Sequence, residues 1–148
     1  MAAHLPSNLE FRATDDFSSM RLLALESGLE DGAYSDFVCA YGFYDGDALV
    51  ACAGLKEQSG VYSLECVAVK EELRGKGLGK RLVESLERDA ARRGASRIWA
   101  LARAPEFFLR IGYAVVSHEK SEGPTLRGCL NCKQYRHGCN PAIVLKVL

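Results

Sequence analysis

Apolar residues change their spacing several times along this chain, and each change predicts an element. Leu9 to Ala13 reads as a short strand. Asp15 and Asp16 then stand as capping residues for a helix that carries Phe17, Met20, Leu23 and Leu25 and ends at Gly28. Asp36 to Tyr44 and Ala48 to Lys56 are β-rich runs joined by Asp45-Gly46-Asp47, and Asp-Gly favours the tight turn whose twist matches a hairpin. Val61 to Lys70 follows Ser59-Gly60 as a third such run. From Gly77 to Arg93 the period becomes helical, with Leu78, Leu82, Val83, Leu86 and Ala90 on one face. Arg97 to Ala102 is a strand, Pro105 to Arg110 a short helix opened by proline, and Tyr113 to His118 another strand. Glu119 to Pro141 shows no period, and Ala142 to Leu148 closes the chain as a strand. Antiparallel runs followed by strand-helix alternation predict an α/β (α+β) architecture: a mixed central sheet with helices on both faces.

Composition narrows the class of protein. With 148 residues, 48% hydrophobic and 26% charged, residues 1–148 suit a single domain with a full core. Lys plus Arg equals Asp plus Glu at 19 each, so no global field draws in nucleic acid or an anionic membrane. No apolar run approaches membrane-spanning length, and the first residues lack a basic-then-apolar leader, so a cytoplasmic protein is expected. Its six cysteines are then expected as reduced thiols.

The densest chemical signal is Arg74-Gly75-Lys76-Gly77-Leu78-Gly79-Lys80, set between the strand end Leu64-Glu65-Cys66-Val67-Ala68-Val69 and the long helix. Glycines let backbone approach a ligand, and the free N–H groups of a helix's first turn favour a phosphate. Lys76, Lys80 and Arg81 add positive charge. A Walker loop needs Ser or Thr after Gly-Lys, and Arg81 stands there instead. A dinucleotide fingerprint needs its third glycine one residue later and an acidic residue after the next strand, where Arg103 stands. The remaining pattern, Arg-x-x-Gly-x-Gly after a Val-Ala-Val strand end, resembles the pyrophosphate loop of the GNAT acyl-CoA N-acetyltransferases.

That resemblance implies the GNAT fold, acetyl-CoA as cosubstrate and N-acetyl transfer to a small-molecule amine or amino acid. The pantetheine arm would pair with the backbone of Val67, Ala68 and Val69, and its pyrophosphate with Arg74, Gly75, Lys76, Gly77, Leu78, Gly79 and Lys80. Glu65 is the candidate base for the acceptor ammonium; its bland alternative is a carboxylate on the solvated side of the strand. Many family members carry a tyrosine that protonates the leaving thiolate in the stretch A-x-x-[FY]-Tyr-x-x-x-Gly-Phe. This chain has Ala104-Pro105-Glu106-Phe107-Phe108-Leu109-Arg110-Ile111-Gly112-Tyr113, so Phe108 would line the thioester pocket without a proton to give. Tyr62 and Tyr113 are substitutes to weigh against their reading as strand aromatics. Cys66 reads as a small buried hydrophobe, not a nucleophile.

Leu49 to Leu55, Leu64 to Val69 and Leu101 to Tyr113 are also similar to stretches in the acetyltransferase domain of N-acetylglutamate synthases. That likeness implies a glutamate acceptor and a place in arginine biosynthesis, with Arg103 on a substrate carboxylate. Lys56 and Arg110 are further cations that could serve the second carboxylate. The synthases' amino-acid-kinase-like regulatory domain does not fit in 148 residues, so feedback through it is not expected. Another small amine or an amino-acid-like toxin is the alternative acceptor. A non-catalytic acyl-CoA sensor is the alternative of a different class. Cys129, Cys132, His137 and Cys139 have spacing compatible with zinc, with reduced structural thiols favoured. Neither nucleic acid nor membrane is an expected partner, and a homodimer is left open.

Overall fold

The computed structural model describes residues 8–28, 37–103, 105–116 and 142–148. Strand β1 (Leu9–Ala13) leads into helix α1 (Phe17–Glu26). Of the two expected caps, Asp16 is the one used: its carboxylate accepts the Ser19 backbone N–H at 3.1 Å and the Ser19 hydroxyl at 2.6 Å. Those bonds, the hydroxyl first, hold the Asp16 carboxyl below its ordinary value. Gly28 follows the helix end at a φ of 84°.

Strands β2 (Phe37–Asp45), β3 (Ala48–Gln58) and β4 (Val61–Val69) form the antiparallel meander, its first hairpin closing with Asp45 opposite Ala48. A single 3-10 turn at Glu71–Leu73, not foreseen from the sequence, connects β4 to helix α2 (Leu78–Arg92). Strand β5 (Arg97–Ala102), helix α3 (Pro105–Arg110), strand β6 (Ala114–Val116) and strand β7 (Ala142–Val147) complete the order. The expected strand to His118 is described only as far as Val116, and Glu119 to Pro141 lie outside the described residues.

Among the described residues the strands form one sheet of seven, in the order β1-β2-β3-β4-β5-β7-β6. Of these described pairs only β4 and β5, the strands joined by α2, run parallel; every other pair is antiparallel. The apolar stripe of α2, Leu78, Leu82, Val83, Leu86 and Ala90, is buried against Phe43, Ala53, Leu55, Leu64 and Ile98. Each large side chain so covered contributes roughly 1.5 to 3 kcal/mol before ordering costs. Helix α1 covers the opposite face with Met20 and Leu23 on Ala40, Cys52 and Ala68. Leu25, expected among the apolar positions of α1, is instead 40% exposed, because a ten-residue helix lying on a sheet buries only one side. Among the described residues no helix is long and apolar enough to cross a membrane.

Candidate active site

The site begins with a fault in β4. In the β3–β4 register Cys52 faces Ala68, yet Gly54 faces Glu65, so two steps on β3 match three on β4. The extra residue is a bulge, and Cys66 within it has a φ of 58°. A left-handed backbone costs a residue with a side chain roughly 1 to 3 kcal/mol, so the surrounding pairing must hold it there. The bulge also reverses the alternation. Leu64 packs in the α2-side core; past the bulge, Val67 and Val69 pack there, while Cys66 and Ala68 face the α1 side.

Beside this bulge the sheet opens. β4 and β5 pair only at Ser63 with Trp99 and Leu64 with Ala100, although the strands continue to Val69 and Ala102. Among the described residues the β5-facing edge of β4 beyond Leu64 therefore has no strand partner. An extended ligand with amide groups could supply the missing hydrogen bonds. Cys66 is turned from this edge: its thiol donates to the Met20 carbonyl at 3.5 Å and lies 3.8 Å from Cys52 Sγ. The bond to Cys66, then burial, push the Cys52 thiol well above its ordinary value, so it stays protonated. Neither sulfur has the setting of a nucleophile.

The glycine loop lies at the open end. Arg74 Nε donates to the Val69 carbonyl at 3.1 Å, tying the loop to β4. Gly77 takes the N-cap position of α2 at a φ of 83°, and a Cβ there would meet nothing within 4 Å. The backbone angle, not crowding, calls for glycine at this position. Helix geometry leaves the N–H groups of Leu78, Gly79 and Lys80 without intrahelical acceptors, and the positive end of the helix dipole joins them. Gly79 answers a different need, since a Cβ there would stand 3.1 Å from the Phe107 ring. Lys80 pairs with Glu84 at 3.9 Å. Arg81 corrects the sequence reading: its guanidinium lies 5.0 Å and 5.4 Å from the centroids of Phe11 and Phe43, over β1 and β2 rather than at the loop. A cavity of about 270 Å³ adjoins the loop between Leu23, Glu26 and Ser27 on one side and Lys70, Glu71, Glu72 and Arg74 on the other. A larger one, about 310 Å³, lies at the other end of α2 beside Arg93 and Trp99, away from this chemistry.

Glu65 is not enclosed by the apolar strand in which its sequence sits. Alternation turns it away from Leu64, leaving its side chain 48% exposed, and Lys56 Nζ stands 3.1 Å from its carboxylate. Lys56 is itself only 17% exposed and lies 5.2 Å from the Phe37 ring centroid. Arg103, expected on a substrate carboxylate, donates a guanidinium N–H to the Gly28 carbonyl and so reaches from the end of β5 to the end of α1. Arg110 is exposed on the last turn of α3.

The two rings of α3 take different places. Phe108 is buried, edge-on to Phe107 at 5.0 Å and to Tyr113 at 5.2 Å. Phe107, which sequence reasoning passed over, is the ring against Gly79 at the loop. Tyr113 donates its hydroxyl to Glu87 at 2.7 Å, and burial, then that bond, push its phenol far above the usual range. The Tyr62 hydroxyl faces the Arg93 carbonyl at 3.5 Å, at the far end of α2. Both hydroxyls are thus turned to protein acceptors. Phe108→Tyr is accordingly expected to lose about 1 to 3 kcal/mol of stability by burying a new hydroxyl among rings, without faster turnover. Thermal unfolding and thiol release measure the two effects; a large gain in rate would show that leaving-group protonation limits the reaction. Cys129, Cys132, His137 and Cys139 lie outside the described residues, among which no cluster of three or more metal-ligating side chains occurs.

Comparison with known proteins agrees with this geometry. Residues 7–113 match the acetyltransferase (GNAT) family. An uncharacterized N-acetyltransferase of Chlorobaculum tepidum is 30% identical over 105 residues, 71% of this chain and 67% of that protein. The N-acetylglutamate synthase of Neisseria gonorrhoeae, solved with coenzyme A and N-acetyl-glutamate, superposes with a TM-score of 0.70 at 21% identity over 97% of this chain. This chain spans 36% of that synthase. The ribosomal-protein-S18-alanine N-acetyltransferase of Escherichia coli superposes with a TM-score of 0.68 at 14% identity, covering 94% of this chain and 93% of that one. At these identities the two structures share the fold with this chain, and their different acceptors do not choose one for it.

Proposed function

The chain belongs to the acetyltransferase (GNAT) family, and from that premise we propose that it acetylates the amino group of a small amino acid, glutamate before others, using acetyl-CoA. The observation that carries the reading is that the edge of β4 without a strand partner among the described residues ends beside the first turn of α2, Val69 lying 3.8 Å from a Cβ placed at Gly79, so one extended ligand bearing amides and then phosphates would meet both.

In this reading the backbone of Val67, Ala68 and Val69 pairs with the pantetheine arm, and an N–H of that strand polarises the acetyl carbonyl. Arg74, Gly75, Lys76, Gly77, Leu78, Gly79 and Lys80 receive the pyrophosphate. Phe107 walls the cleft, and Phe108 supports it from behind. The acceptor reaches the enzyme as an ammonium and must lose a proton before its nitrogen attacks the thioester carbon. Glu65 takes that proton, directly or through water, which its exposure admits. The C–N bond then forms, the nitrogen gives its second proton to solvent as the C–S bond breaks, and the thiolate leaves to be protonated by solvent, as its pKa of about 8.5 permits. Lys56 and Arg103 supply the positive charges for an acceptor with carboxylates. Because Lys56 adjoins Glu65, it would hold a carboxylate close to where the ammonium is deprotonated.

A thiol-release assay with acetyl-CoA against free amino acids, run beside a CoA titration, tests the proposal. Glutamine should react more slowly than glutamate. Arg103→Ala should raise the Michaelis constant for the amino acid about 10-fold while sparing that for acetyl-CoA. Equal rates for glutamate, glutamine and a simple alkyl amine would move the acceptor to the wider class of small amines. CoA binding without any thiol release would favour an acyl-CoA sensor.

A further inference from the structure

We infer that Glu87 is a positioning residue for acetyl-CoA: it fastens α3 to α2 and so sets how Phe107 stands against Gly79 in the first turn of α2, at the proposed pyrophosphate loop. The inference rests on the acetyl-CoA reading above. Glu87 belongs to none of the motifs in the sequence, and lies in the middle of α2, well beyond the loop. Its side chain is 12% exposed, and both carboxylate oxygens are engaged. Oε2 accepts the Tyr113 hydroxyl at 2.7 Å, and Oε1 faces Lys146 Nζ at 3.2 Å. Lys146, on β7, also donates to the Ile111 carbonyl at 3.2 Å. One carboxylate thus joins α2, the turn after α3 and β7.

The path from this node back to the cofactor loop is continuous. Tyr113 packs edge-on to Phe108, Phe108 edge-on to Phe107, and Phe107 against the Gly79 position in the first turn of α2. The chain of contacts leaves α2 at Glu87 and returns to it at Gly79. Helix α3 has only six residues, too few to hold its own geometry, so its place is set by what grips its ends. The grip at its C-terminal end is this node: the Tyr113 N–H bonds the Phe108 carbonyl at 3.0 Å and its hydroxyl bonds Glu87. The family pattern quoted above has Gly-Phe where this chain has Gly112-Tyr113. The added hydroxyl is what allows the turn to reach Glu87.

Glu87→Ala, Glu87→Gln and Tyr113→Phe test the role, each followed by thermal unfolding, CoA titration and separate Michaelis constants for acetyl-CoA and acceptor. Glu87→Ala should raise the acetyl-CoA Michaelis constant and the CoA dissociation constant about 5- to 10-fold, with the acceptor constant within about 2-fold. Glu87→Gln keeps an acceptor for the Tyr113 hydroxyl and should recover most of the loss. Tyr113→Phe keeps the ring packing and should show about a 3-fold rise on the cofactor side alone, so it carries the test if Glu87→Ala does not fold. Lower thermal stability with unchanged cofactor constants would overturn the proposal, as would an equal rise in both Michaelis constants. Failure of the unmodified protein to bind CoA would instead remove the acetyl-CoA reading, before any variant is compared.

Discussion

Gly77→Asp is expected to weaken CoA binding about 10- to 100-fold, while Gly77→Asn stays close to the unmodified protein. The paired design follows from the N-cap geometry. At a φ of 83° any side chain is strained, but Asn and Asp tolerate the left-handed region better than other residues, and both have open space at this position. The strain is therefore common to the two variants and cancels in their comparison. What differs is one negative charge at the mouth of the proposed pyrophosphate site. A charge-assisted hydrogen bond contributes about 1.5 to 3 kcal/mol, and each 1.4 kcal/mol is a factor of ten, which gives the range stated. Stability should move the opposite way, because a negative charge beside a helix N-terminus contributes roughly 0.3 to 1 kcal/mol. A Gly77→Asp protein that folds at least as well as the Asn variant yet loses CoA would locate the anion at this helix end. Equal calorimetric affinities for the two would remove the phosphate from the loop.

Features governed by a few adjacent residues were legible before any coordinates. The α2 stripe, the Asp45-Gly46-Asp47 hairpin, the strand Arg97–Ala102 and the helix Pro105–Arg110 all stand where periodicity, glycine and proline put them. The Cys66 bulge was not legible, since a cysteine at positive φ has no local signature and its position depends on β3 pairing. That one residue decides which of the following side chains face α2. Arg81 shows the same limit in electrostatics: beside Lys80 it reads as a phosphate cation, but the rings of Phe11 and Phe43 from distant strands take it. Phe107 and Phe108 show it in packing. Adjacent residues on a helix point about 100° apart, and only the folded chain shows that Phe107 is the ring against Gly79 while Phe108 packs between Phe107 and Tyr113. Glu87, Tyr113 and Lys146 come together only after the sheet has inserted β7 between β5 and β6, an order that strand periodicity does not encode.

Glu65→Gln is expected to lower turnover about 100-fold near neutral pH, with the loss shrinking as pH rises. An amino-acid ammonium loses its proton two to three pKa units above neutrality, so at pH 7 deprotonation costs roughly 3 to 4 kcal/mol. A base aligned with the amine offsets part of that cost. Above the amine's own pKa the acceptor is already neutral and the base is dispensable, so the ratio of unmodified to variant rate should fall toward one. The neighbouring ammonium complicates a single substitution, because Glu65→Gln also removes the carboxylate 3.1 Å from Lys56 Nζ. Lys56→Met separates the effects. If Lys56 holds a substrate carboxylate, this change raises the Michaelis constant of the amino acid by a factor that does not depend on the amine's ionisation. The loss from Glu65→Gln should instead track that ionisation and move to higher pH with a more basic acceptor. A Glu65→Gln loss uniform across pH, matched in size by Lys56→Met, would reduce the pair to a structural or substrate-binding contact. The proton would then have to leave through water ordered elsewhere along the open edge of β4.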